Sequence, residues 1–92
     1  MAVTIKLPTQ LRDAAGGAPA VTVRGATVGE ALDALYAEHG ELRERMADGE
    51  GGLRRFVNVY LAGEDIRFLD GLATPVPEGA EPTILPAVAG GS

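Results

Sequence analysis

The fold turns on one stretch, TVGEALDAL at residues 27–35. Thr27 and Glu30 have the spacing of a capping box. The Thr27 hydroxyl is expected to accept from the Glu30 amide, and the Glu30 carboxylate to reach back to the Thr27 amide. Val28, Ala31, Leu32 and Leu35 then fall on one stripe at helical spacing, with Glu30, Asp33 and Ala37 off it. Gly40 is the expected left-handed stop. His39, just before it, sets an imidazole at the negative end of the helix dipole, a structural role rather than a catalytic or metal-binding one. A second helical turn over 41–46 is expected to bury Leu42 and Met46. Asp48-Gly49-Glu50-Gly51-Gly52 cannot propagate it and reads as a loop.

On either side of this helix the period changes from helical to two. Upstream, Val3-Thr4-Ile5-Lys6-Leu7 alternates apolar and polar, and Pro8 stops it. A loop of turn formers is expected through Gly16-Gly17 and Pro19. Ala20-Val21-Thr22-Val23-Arg24 alternates again, and Gly25 ends it. Downstream, Phe56-Val57-Asn58-Val59-Tyr60-Leu61 carries aliphatic residues at every odd position, which turns Phe56, Asn58 and Tyr60 outward. Ala62-Gly63-Glu64-Asp65 reads as a turn and Ile66-Arg67-Phe68 as the start of a short extended piece. Asp70-Gly71 and Pro77-Glu78-Gly79 are further turns, and Thr83-Ile84-Leu85-Pro86 is the last strand. One substantial helix covers only one face of a sheet. The first two strands form a hairpin, and the crossover lets a later strand run parallel to the first. The expected fold is α+β: a β-grasp, or ubiquitin-like, mixed sheet with one main helix across one face. It occupies residues 1–86 as a single domain, with 87–92 as a flexible tail.

Composition narrows the function. A chain of 92 residues that is 46% hydrophobic can bury one core without disulfides. Its net charge of −5 argues against a phosphate backbone as partner. The arginines at 12, 24, 43, 45, 54, 55 and 67 are scattered, with no aromatic run for stacking bases. No stretch has membrane-spanning length and the start lacks a signal-peptide core, so a cytoplasmic protein, with neither nucleic acid nor membrane as partner, is expected. Without cysteine there is no thiol nucleophile and no thiolate metal site. Ser92 and the threonines lie in no nucleophile elbow. An enzyme in its own right is hard to build from this inventory, and neither a resident metal nor a bound cofactor is expected.

What remains is the tail, Ala87-Val88-Ala89-Gly90-Gly91-Ser92. Two adjacent glycines lose more conformational freedom on ordering than any other pair, so they suit a segment that threads a passage too narrow for side chains. With RFVNVYLAGEDIRF (55–68), GLATPVPEGAEPTILPAVAGG (71–91) and TVGEALDAL (27–35), the chain resembles the ubiquitin-like sulfur carriers of the ThiS/MoaD family. The likeness is nearest to the branch serving actinobacterial cysteine biosynthesis, and it covers essentially the whole sequence. The resemblance implies a cosubstrate of other enzymes, which holds sulfur as a thiocarboxylate on Gly91. An E1-like enzyme would adenylate that carboxylate with ATP and transfer sulfur to it. A pyridoxal-phosphate-dependent cysteine synthase would receive the sulfur. A zinc-dependent peptidase of the JAMM type would free the product from the tail. Leu85, Pro86, Ala87, Val88 and Ala89 would lie against these partners, as would Phe56 and Tyr60 on the outward strand face.

Ser92 departs from the family pattern. While it is attached the Gly91 carbonyl is an amide and cannot be adenylated. It reads as a pro-residue removed before loading, a residue added during expression, or a deliberate block. With oxygen for sulfur it also resembles the cysteine adduct, so the chain is a mimic of the product-loaded carrier. Other destinations for the sulfur stay open, among them molybdopterin, thiamin and sulfur-containing secondary metabolites. So do a ubiquitin-like binding module that carries nothing and a modifier joined to lysines through Gly91.

Overall fold

The computed structural model describes residues 2–47, 53–54 and 57–86. Its sheet is built from β1 (Ala2–Lys6), β2 (Ala20–Arg24), β3 (Val57–Leu61), β4 (Glu64–Asp65) and β5 (Thr83–Pro86). The strand order is β2-β1-β5-β3-β4. β1 pairs antiparallel with β2, with Val3 opposite Val23 and Ile5 opposite Val21. β5 runs parallel to β1 and antiparallel to β3. The mixed β-grasp sheet expected from the sequence is therefore present, and the last strand in sequence occupies its centre.

Alternation does the sorting. Val3, Ile5, Leu7, Val21, Val23, Val57, Val59, Leu61 and Ile84 are buried on one face of the sheet. The helix α2 (Val28–Glu38) supplies Val28, Ala31, Leu32 and Leu35 to the same core. A short helix α3 (Gly40–Met46) adds Leu42 and Met46, both fully buried. Two devices fix where α2 begins. Gly25 lies so near the first turn that a Cβ there would sit 2.6 Å from the Ala31 nitrogen. The segment 74–76 lies alongside, its Thr74 carbonyl accepting from the Val28 amide at 2.9 Å and its Val76 amide donating to Ala26 at 2.9 Å.

Four local expectations need correction. The stretch after Pro8 is not merely loop. It forms α1 (Thr9–Arg12) and a 3-10 turn (Asp13–Ala15), because Leu11, Ala14 and Ala15 share a helical stripe that the core covers. Gly16 and Gly17, with φ of +69° and +89°, end it. In the capping box the Thr27 hydroxyl accepts from the Glu30 amide at 3.2 Å, as expected. The Glu30 carboxylate, however, accepts from the Ala26 amide at 2.8 Å, one residue earlier than expected. Gly40 is not a left-handed stop: the chain bends at His39, φ −134° and ψ 81°, and Gly40 opens α3. Finally, Ile66–Phe68 is a 3-10 turn rather than an extended piece. The strand that pairs with β3 lies before it, at Glu64–Asp65, across a two-residue turn in which Ala62 and Gly63 have φ of 55° and 87°. Both positive values are what a tight type I′ hairpin requires.

Candidate functional site

Whatever chemistry Gly91 undergoes, it is delivered from the end of β5. That strand is anchored by Ile84, which is fully buried, and held on both sides. The Lys6 amide donates to the Pro82 carbonyl at 2.8 Å on the β1 side. On the other side Val59 faces Ile84, Asn58 faces Leu85 and Val57 faces Pro86. The tail therefore departs beside the first residue of β3. Phe56, Ala87, Val88, Ala89, Gly90, Gly91 and Ser92 lie outside the described residues.

On the face of the sheet away from the helices, Tyr60 and Leu85 come together. They line an open groove of about 460 Å³ with Ala62, Ala80, Glu81 and Thr83. Tyr60 is half-buried there, so only part of the ring is available, whereas Leu85 is 43% exposed. Lys6 and Glu81 pair across one end of the groove at 3.2 Å, both well solvated. Such a pair adds little stability and is easily re-formed with another partner.

The other flank of Leu85 was not legible from the sequence. There Arg67 folds back over the start of β3. Its guanidinium donates to the Asn58 side-chain oxygen and, at 2.9 Å, to the Val57 carbonyl. Asp65 fixes the turn by accepting from the Arg67 amide at 2.8 Å, and its carboxylate stays 3.8 Å from the guanidinium. The next residue, Phe68, is 82% exposed. One signal could have located this corner: an aspartate two residues before Arg67 is the sequence mark of a side-chain-capped turn, not of a strand.

His39 caps α2. Tyr36, on α2, has its phenol pKa pushed up to about 12, chiefly by burial and then by the Asp33 carboxylate, with Arg43 opposing. It therefore stays neutral and is no nucleophile. Among the described residues no cluster of histidines and carboxylates could hold a metal, and no helix is long and apolar enough to cross a membrane.

Comparison with known proteins agrees with this geometry. The ThiS family model matches residues 5–91, ending on the second glycine. The sulfur carrier protein CysO of Mycobacterium tuberculosis is 46% identical over 93 residues, covering 99% of this chain and 100% of that one. Among solved structures, the Amycolatopsis orientalis BexX/CysO complex matches with a TM-score of 0.87 and 46% identity, over 97% of this chain and 99% of that chain. The small archaeal modifier SAMP1 of Haloferax volcanii matches with a TM-score of 0.83 and 34% identity, over 99% of this chain and all of that one.

Proposed function

This chain belongs to the ThiS family, a sulfur carrier rather than a catalyst, and on that premise we propose that it holds sulfur as a thiocarboxylate on Gly91. The observation that carries the reading is the family match running through to Gly91, on a tail rooted in the central strand. Hydrolysis of the Gly91–Ser92 amide first frees the Gly91 carboxylate. An E1-like partner then joins that carboxylate to AMP, releasing pyrophosphate from ATP. A sulfur nucleophile attacks the acyl carbon, AMP leaves, and the thiocarboxylate remains. Glycine at 90 and 91 lets each partner close to reacting distance around that carbonyl.

For the sulfur's destination we propose cysteine formation on a pyridoxal-phosphate-dependent synthase. The thiocarboxylate sulfur would add to an aminoacrylate on that synthase, the Gly91 acyl group would shift from sulfur to the amine of the new cysteine, and a zinc peptidase of the JAMM type would hydrolyse the resulting amide. Identity of 46% to proteins named CysO supports this assignment. A second reading, a modifier that joins lysines through the same activated glycine, draws support from the likeness to SAMP1.

The test begins with the chain trimmed to end at Gly91, incubated with the cognate adenylating enzyme, ATP and sulfide. Intact mass is expected to rise by the difference between one sulfur and one oxygen. Gly91→Val is expected to lose that gain while keeping its melting temperature. A correctly folded, trimmed chain that never gains the mass would sink the carrier reading. Lysine-linked conjugates instead of released cysteine would favour the modifier.

A further inference from the structure

The tail is short compared with the body that carries it. Five residues separate Pro86 from the Gly91 carbonyl, a reach of about 17 Å when fully extended. The body measures 35 × 30 × 24 Å. An enzyme that encloses Gly91 in a water-excluding site must therefore press its rim against the surface around the end of β5. The far end of the molecule is beyond its reach.

That surface has a distinct chemistry. Among the described residues the large apolar side chains left exposed are Phe68, Leu69 and Leu85. All three lie at this end, joined through the register pair Asn58 and Leu85 and the hydrogen bond from Arg67 to Asn58. Arg67 sits over Val57 at this corner, with close to half of its side chain in solvent. Of the nearby carboxylates, Asp65 is largely covered and spent on the turn, while Glu64 and Asp70 are exposed to either side of it in sequence. The Arg67 guanidinium is already held by Asn58 and Val57, so it loses little freedom on docking and keeps further N–H donors for a partner.

We propose that Arg67, Phe68 and Leu85 are the docking face for the enzyme that adenylates Gly91. That partner offers an apolar pocket to Phe68 and a carboxylate to Arg67 at the mouth of the channel that admits the tail. The inference rests on the sulfur-carrier reading and assigns its partner surface. The tail itself, Ala-Val-Ala-Gly-Gly, has few groups by which an enzyme could tell it from other chain ends. Discrimination has to come from the body, and this corner is the part of the body within range.

The test measures ATP–pyrophosphate exchange against concentration of the full domain trimmed to Gly91. Phe68→Ser is expected to raise KM about ten-fold or more with kcat within two-fold, as for an aromatic anchor at an interface. Its melting temperature should not fall, because the ring is already solvated. Arg67→Gln is expected to raise KM and to flatten its dependence on salt. Arg24→Gln, at the opposite end of the sheet, should leave both constants unchanged. Exchange that proceeds with an unmoved KM in Phe68→Ser would overturn the docking face alone. So would a concentration-dependent dimer of the free chain that Phe68→Ser abolishes, since the patch would then belong to a second copy. No exchange with the unmodified trimmed chain would remove the carrier reading, and the docking face with it.

Discussion

Tyr36 shows how a single side chain can make the domain sensitive to alkali without any role in its chemistry. Burial and the Asp33 carboxylate raise its phenol to about 12 in the folded chain. In the unfolded chain it titrates near 10. Between about pH 10 and 12 the unfolded chain gives up this proton while the folded one keeps it, so stability falls as pH rises through that window and is unaffected below it. Tyr36→Phe is therefore expected to lose less melting temperature than the wild type between those pH values. Equal losses in the two proteins would show that the phenol is not the group responsible. That Arg43, on another helix, acts on Tyr36 is a tertiary effect that no local pattern carries.

At the scale of elements, the junction between β2 and α2 is the most constrained part of the chain. Gly25 ends the strand, Thr27 caps the helix, and the first turn folds back over the glycine. An alanine Cβ at 25 would meet the Ala31 nitrogen at 2.6 Å and its Cα at 2.9 Å, atoms that belong to the helix backbone and cannot rotate away. Gly25→Ala is expected to cost about 2 kcal/mol, the usual scale of overpacking. A lower urea midpoint with an unchanged denaturant slope would confirm it, and an unaltered midpoint would show that the junction relaxes freely. The periods of the longer elements and the Thr27 cap were plain in the sequence because each is a local signal. What escaped was short: α1, the bend at His39 and the 3-10 turn at Ile66–Phe68. Each is too short for a period to stand out, although Asp65 leaves a local mark on the last of them. The candidate site divides in the same way. The outward turn of Tyr60 followed from alternation along its strand and Leu85 came from the family resemblance, whereas Arg67 and Phe68 needed the turn to be known.

For the molecule as a whole, the decisive feature is the place of β5. It is the last strand in sequence and the third in the sheet, between β1 on one side and β3 on the other. A β2-β1 hairpin and a β3-β4 hairpin have no direct pairing with one another until it is inserted. A chain stopped after residue 80 is therefore expected to be fully open to protease and to lack a cooperative melting transition. Protection and a sharp transition in that truncated chain would contradict this. The same arrangement sets the order of events at the ribosome. While residues 83–86 are still in the exit tunnel the nascent chain has no finished core, so it stays a client for chaperones and proteases. Completing the core requires the strand next to the glycines to have been made, and this gives quality control a simple rule: a body that survives triage has its tail root in place.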